Sequence, residues 1–144
     1  MNINYYATNP GKEDFFQLFE TTGWNKKYQL SEDTLIEALR NSWFKISAYD
    51  GQKLIGYGRI ISDGIVHALL LDIIIHPDYQ GKYIGKEILD RLVDKCKKHK
   101  IRDIQLFCAK DKIGFYEKYG FITRPANAPG MEYDWGNEYS INQK

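Results

Sequence analysis

Glycines at 81 and 85 bracket a short turn, Gln80-Gly81-Lys82-Tyr83-Ile84-Gly85-Lys86, which follows the apolar run of residues 69–75 and the dipeptide His76-Pro77. An apolar strand that turns at a proline into a helix start exposes backbone N–H groups with no intrahelical partner. The helix dipole adds positive potential at the same place. The chemistry on offer is anion binding, because small residues let several N–H donors converge on a diphosphate without a side chain in the way. Spacing excludes two other phosphate patterns. A P-loop needs four residues between its glycines and a hydroxyl after its lysine, whereas three residues separate Gly81 from Gly85 and Glu87 follows Lys86. Gly56-Tyr57-Gly58 lacks the third glycine of a dinucleotide fingerprint. An isolated pair of glycines would more simply shape a strand-to-helix connection. Pro77, Gln80 and a tyrosine-bearing segment downstream favour the anion site.

That segment is Leu106-Phe107-Cys108-Ala109 followed by Gly114-Phe115-Tyr116-Glu117-Lys118-Tyr119-Gly120-Phe121. Together the two stretches resemble the central motifs of the GNAT superfamily of acetyl-CoA-dependent N-acetyltransferases. The turn is similar to that family's pattern of Gln or Arg, two variable residues, Gly, one variable residue, then Gly or Ala. Gln80 and Gly85 are in place, and Tyr83 stands where Gly is usual. The resemblance is clearest over residues 62–121. It implies acetyl-CoA as cosubstrate, with the amides of Gln80, Gly81, Lys82, Tyr83, Ile84, Gly85 and Lys86 around the pyrophosphate. The edge of Ile73, Ile74 and Ile75 would pair with the pantetheine arm on a splayed strand. A Cβ and ring at Tyr83 would crowd the ligand if φ there is positive or the backbone approach very close, whereas a helical backbone would leave its amide available.

Transfer from a thioester to an amine requires the amine to lose a proton and the departing thiolate to be stabilised or protonated. An alkylamine of pKa ~10.4 is neutral about once in 2500 molecules at pH 7, a deficit of roughly 4.6 kcal/mol. Resemblance implies that Tyr116 is the general acid, and proton transfer from a phenol of pKa ~10 to a thiolate of ~8.5 is uphill by roughly 2 kcal/mol. The alternative for Tyr116 is a core ring with a satisfied hydroxyl. Where some relatives place a glutamate base, this chain has Leu69 or Leu71. Asp72 is the only carboxylate of that strand and the candidate base, against a structural hydrogen-bonding role. His67 and His76 are weaker candidates, a water relay to backbone carbonyls stays open, and direct transfer leaves Cys108 no duty as a nucleophile. Trp24, Tyr28 and Trp43 supply aromatic surface that could hold an amine by cation–π contact or pack in the core. No spacing suggests a metal site.

These groups need elements to position them. Phe15, Leu18, Phe19 and Thr22 share a helical face ended by Gly23, and Ser31 caps a second helix bearing Leu35, Ile36, Ala38 and Leu39. The pattern then changes to three antiparallel strands over residues 44–49, 53–62 and 65–75, joined at Asp50-Gly51 and Asp63-Gly64, with Gly56 and Gly58 as bulge points. Ile88, Leu89, Leu92, Val93 and Cys96 recur at helical spacing in the longest helix. A parallel strand over residues 104–109, a short helix over 113–119 and closing strands at 121–122 and 131–135 follow, and residues 139–144 read as a frayed tail.

The 144 residues, 43% apolar and 15% aromatic, suit one domain spanning residues 1–144. The expected fold is α/β: a central, mostly antiparallel mixed sheet flanked by helices, its parallel strand pair splayed at the acetyl-CoA cleft. A net charge of +1 gives no reason for nucleic acid or an anionic membrane as partner, and no segment reads as a membrane span. Cys96 and Cys108 read as a buried, reduced pair in a cytoplasmic protein. The expected activity is acetyl transfer to the primary amine of a small molecule by direct attack in a ternary complex, and a homodimer is allowed. A protein amino group is the alternative acceptor. A non-catalytic acyl-CoA-binding regulatory module is the alternative class.

Overall fold

The computed structural model describes residues 1–136. Two Asp-Gly dipeptides shape its sheet. Gly51 and Gly64 take φ of 60° and 78°, conformations that cost glycine little, and they turn β2 (Phe44–Asp50) into β3 (Lys53–Ser62) and β3 into β4 (His67–Ile75). The second turn is longer than the sequence suggests. The Asp63 carboxylate accepts N–H groups of Ile65, Val66 and His67, so β4 starts at His67 rather than Ile65. The same hydrogen bonds hold the Asp63 carboxyl below its ordinary pKa.

A four-residue strand that the sequence pattern did not reveal, β1 (Ile3–Tyr6), pairs antiparallel with β2. β5 (Asp103–Leu106) pairs parallel with β4, completing a five-stranded sheet in the order β1-β2-β3-β4-β5. The sheet is mixed and mostly antiparallel, as expected. The closing strands are not formed: residues 121–122 and 131–135 lie outside any strand. Ile122, Met131, Tyr133 and Trp135 are exposed, so alternation alone found no sheet edge to pair with. The expected tail at 139–144 lies outside the described residues.

Helices cover both faces. α4 (Ile84–Lys98) lays Ile84, Ile88, Leu89, Leu92 and Cys96 on a core that includes Ile46, Ala48, Ile55, Ile60, Ala68 and Leu70. Its approach is close. A Cβ on Gly58 would lie 2.8 Å from Ile88 Cγ2 and 3.0 Å from Leu92 Cδ1, so packing under α4 requires glycine there. On the opposite face α1 (Lys12–Glu20) and α3 (Glu32–Arg40) pack Phe15, Leu18, Phe19, Leu35, Ile36 and Leu39 against Leu54, Tyr57 and Ile74. Ser31 caps α3 as expected, accepting the Thr34 N–H at 3.2 Å. A single turn, α2 (Asn25–Tyr28), links α1 to α3, and α5 (Ile113–Lys118) follows β5. Cys96 is buried and free. Cys108 is also free but exposed, because β5 ends two residues before it. Among the described residues no helix is long and apolar enough to cross a membrane.

Candidate active site

The pairing of β4 with β5 stops at Leu70 opposite Leu106, yet β4 runs on to Ile75. The strands therefore part, and a cleft of about 470 Å³ opens beside Ile73, Ile74 and Ile75. Tyr116 and Phe115 of α5 form the facing wall, and Thr21, Thr22 and Trp24 close the side nearest α1.

A bulge accompanies the parting. Asp72 has φ of 52°, and the β3–β4 register shifts between Tyr57 and Arg59. Before it Ala68 and Leu70 belong to the α4 core, and after it Ile73 and Ile75 pack there while Ile74 joins the α1–α3 core. Strict alternation from Leu70 would have sent Asp72 to the α4 side. The extra residue instead puts its carboxylate 2.7 Å from Nε of Arg59. One Arg59 terminal nitrogen also donates to the Ala38 carbonyl at 3.2 Å and the Ser42 hydroxyl at 3.4 Å.

At the cleft mouth a 3-10 turn (Pro77–Tyr79) leads into the glycine segment. The Tyr79 hydroxyl donates to Asp50 at 2.6 Å, and the Gln80 side-chain amide donates to the Ile75 carbonyl at 3.1 Å, so the C-terminal end of the turn is tied to the sheet. Gly81 has φ of 76° and nothing within 4 Å of where a Cβ would sit. Tyr83 is the N-cap of α4 with φ of 64° and ψ of 9°, a left-handed conformation, and it provides no side-chain cap. Its ring is 73% exposed. The first turn of α4 thus faces the cleft with backbone donors and no capping side chain, the arrangement that attracts an anion. Lys86 pairs with Asp90 and lies 5.5 Å over the Tyr119 ring.

Every residue expected at the turn lines the cleft except Lys82, whose ammonium sits 5.9 Å over the Tyr79 ring. Tyr116 lines it too. Burial, and secondarily Cys108, push its phenol above the ordinary value, so it stays protonated near neutrality and proton transfer to a thiolate is steeper than for unperturbed groups. Asp72 is not on the cleft wall and is bound to Arg59. His76 Nδ1 accepts the Asp78 N–H, and the His67 ring pairs with Asp103 at the far end of β4. Of the aromatic candidates only Trp24 reaches the cleft. Tyr28 borders a separate surface depression, and Trp43 packs edge-on against His99 with ring centroids 4.9 Å apart. Sequence reasoning missed Tyr79, Phe115, Thr21 and Thr22 as cleft residues; Tyr79, one residue before Gln80, and Phe115, one before Tyr116, had a signal. Among the described residues no group of three or more His, Cys, Asp or Glu side chains could hold a metal ion.

The profile of the acetyltransferase (GNAT) family matches residues 12–121. The chain is 35% identical over 134 residues to the uncharacterized N-acetyltransferase ycf52 of Pyropia yezoensis, covering 90% of this chain and 71% of that one. It is 30% identical over 129 residues to the histone acetyltransferase TAP1 of Glycine max, covering 82% of this chain and 54% of that protein. Its fold superposes with a TM-score of 0.76 on a GNAT-family acetyltransferase from Streptococcus pneumoniae TIGR4, at 24% identity, over 92% of this chain and 96% of the other. The chain belongs to the GNAT family and is an acetyltransferase.

Proposed function

We propose that this chain moves an acetyl group from acetyl-CoA to a primary amine, that of a small molecule, by direct attack with both substrates bound. The observation that carries the reading is the parted end of β4, which joins an uncapped helix start at one end of the cleft to Tyr116 at its wall. The residues present fit the cosubstrate. Gly81 leaves its backbone open to a diphosphate, and β4 beyond Leu70 offers an edge unpaired with β5 to a ligand rich in amides. Acetyl-CoA, when bound, supplies a thioester carbonyl open to attack by an amine.

The chain's own residues do the rest. The amides of Gly81 and residues 83–86 bind and orient, the side chains of Ile75 and Phe115 converge over Gly85, and Tyr116 holds a proton at its phenolic oxygen for the departing sulfur. Trp24, with Thr21 and Thr22, forms the acceptor side, where an indole face suits a cationic or amphipathic amine. With Asp72 engaged by Arg59, the amine proton leaves through water. A protein amine is the second reading, favoured by the relative named as a histone acetyltransferase. Two free cysteines suit a reducing compartment such as the cytoplasm.

A panel of small amines and lysine peptides, assayed for coenzyme A release, tests this. Turnover that falls by about 100-fold or more in Tyr116→Phe with coenzyme A affinity unchanged supports the enzyme. Tight coenzyme A binding with no thiol release across the panel would instead indicate a non-catalytic acyl-CoA-binding module.

A further inference from the structure

Arg59 and Asp72 form an enclosed ion pair, with side chains 12% and 22% exposed, and the chemistry above does not use it. Its position is unusual. Asp72 occupies the single positive-φ residue of β4, two residues after Leu70, the last to pair with β5, and immediately before the cleft edge. A non-glycine residue in that conformation persists only where its surroundings hold it.

Arg59 supplies the hold from two sides. Nε binds the Asp72 carboxylate, and a terminal nitrogen binds the Ala38 carbonyl in the last turn of α3 and the Ser42 hydroxyl just beyond it. Opposite the bulge, Gly58 is pressed by Ile88 and Leu92 of α4. A β4 without the bulge would send the Asp72 carboxylate into that apolar layer and turn Ile73 and Ile75 to the α1–α3 side. The pair therefore selects which backbone groups and side chains β4 presents along the cleft.

Resting on the acetyl-CoA reading of the cleft, we propose that Arg59 and Asp72 are positioning residues. Their ion pair fixes the β4 bulge, and through it the backbone of residues 73–75, so that a thioester laid along that edge meets Tyr116 in register.

The test uses Arg59→Met, Asp72→Gly, which keeps the left-handed backbone but removes the pair, and Asp72→Asn, which keeps both a side-chain acceptor and tolerance of positive φ. In Arg59→Met and Asp72→Gly, kcat falls by about 10- to 100-fold while coenzyme A affinity, set by the turn at residues 81–86, changes less than about threefold. Asp72→Asn recovers kcat to within about threefold of the parent with an unaltered pH profile, and the double variant Arg59→Met/Asp72→Gly loses no more than the worse single one. Amide hydrogen exchange supplies a readout that needs no acceptor. Residues 73–75 exchange at least about tenfold faster in Arg59→Met, while Leu89 and Leu92 of α4 keep parental rates, showing that the protein remains folded. Full kcat in both pair-breaking variants, or parental exchange at residues 73–75, overturns the proposal. So does Asp72→Asn as inactive as Asp72→Gly beside an active Arg59→Met, which would make Asp72 a proton acceptor. A parent inactive on every amine counts against the proposed function alone, because the exchange experiment still decides this one.

Discussion

Tyr83 offers the sharpest test of the turn, because its backbone conformation and its side chain make opposite demands. At φ of 64° a residue with a Cβ pays about 1–2 kcal/mol relative to the right-handed regions. Glycine pays nothing there but loses about 0.5–1 kcal/mol more conformational entropy on folding. The ring is 73% exposed, and whatever packing it contributes is lost equally when Tyr83 becomes Ala or Gly. Comparing these two variants therefore removes the ring from the problem. The difference leaves Tyr83→Gly more stable than Tyr83→Ala by roughly 0.8 kcal/mol, within a span of about 0–1.5 kcal/mol. Were Tyr83 an ordinary right-handed helical residue, Gly would be the worse choice by about 1 kcal/mol, so the sign alone decides. Urea unfolding, read as the midpoint at constant m, measures it, and a shift of roughly 2–4 °C per kcal/mol in thermal midpoint gives an independent reading. A Tyr83→Ala variant more stable than Tyr83→Gly refutes the left-handed cap and the amide arrangement that depends on it.

Two further outcomes follow from packing and protonation. Gly58→Ala sets a methyl 2.8 Å from Ile88 and 3.0 Å from Leu92, so urea unfolding should show a loss of about 1–3 kcal/mol, and an unchanged midpoint would contradict the close approach of α4. Burial holds the Tyr116 phenol above its ordinary pKa, so its protonated form persists as pH rises and kcat has no descending limb from it below pH about 10; a fall centred below pH 9 that vanishes in Tyr116→Phe would contradict its role as proton donor.

Much of the architecture was readable because the signals were local. Asp50-Gly51 and Asp63-Gly64 announce hairpins, the spacing of Ile88, Leu89, Leu92 and Cys96 announces α4, and a helix between two strands implies that they run parallel. What escaped depends on partners distant in the chain. β1 is only four residues long and exists by pairing with the edge of β2, whereas residues 131–135 alternate apolar and polar side chains yet form no strand. Periodicity records a propensity; an available edge decides the strand. At the site, Gln80, Gly81 and Gly85, which line the cleft, stood out in the sequence because glycine marks where backbone is left bare. Asp72 was harder to read. A lone carboxylate in a run of Leu and Ile invites a catalytic role, and only the β3–β4 register shows Arg59 beside it. The aromatic residues divide for the same reason: Trp24, Tyr28 and Trp43 are alike in type, and the turn between α1 and α3 brings Trp24 alone to the cleft.

The central claim is that backbone amides ahead of α4 grip a diphosphate and thereby direct an acyl group toward Tyr116. A crystal structure of the chain with coenzyme A tests it most directly. The account predicts the diphosphate within hydrogen-bonding distance of the N–H groups of residues 81–85, the pantetheine arm along residues 73–75 and the sulfur facing the Tyr116 hydroxyl. Coenzyme A bound anywhere other than this cleft, or the Tyr83 ring lying across those amides with the ligand excluded, would contradict it.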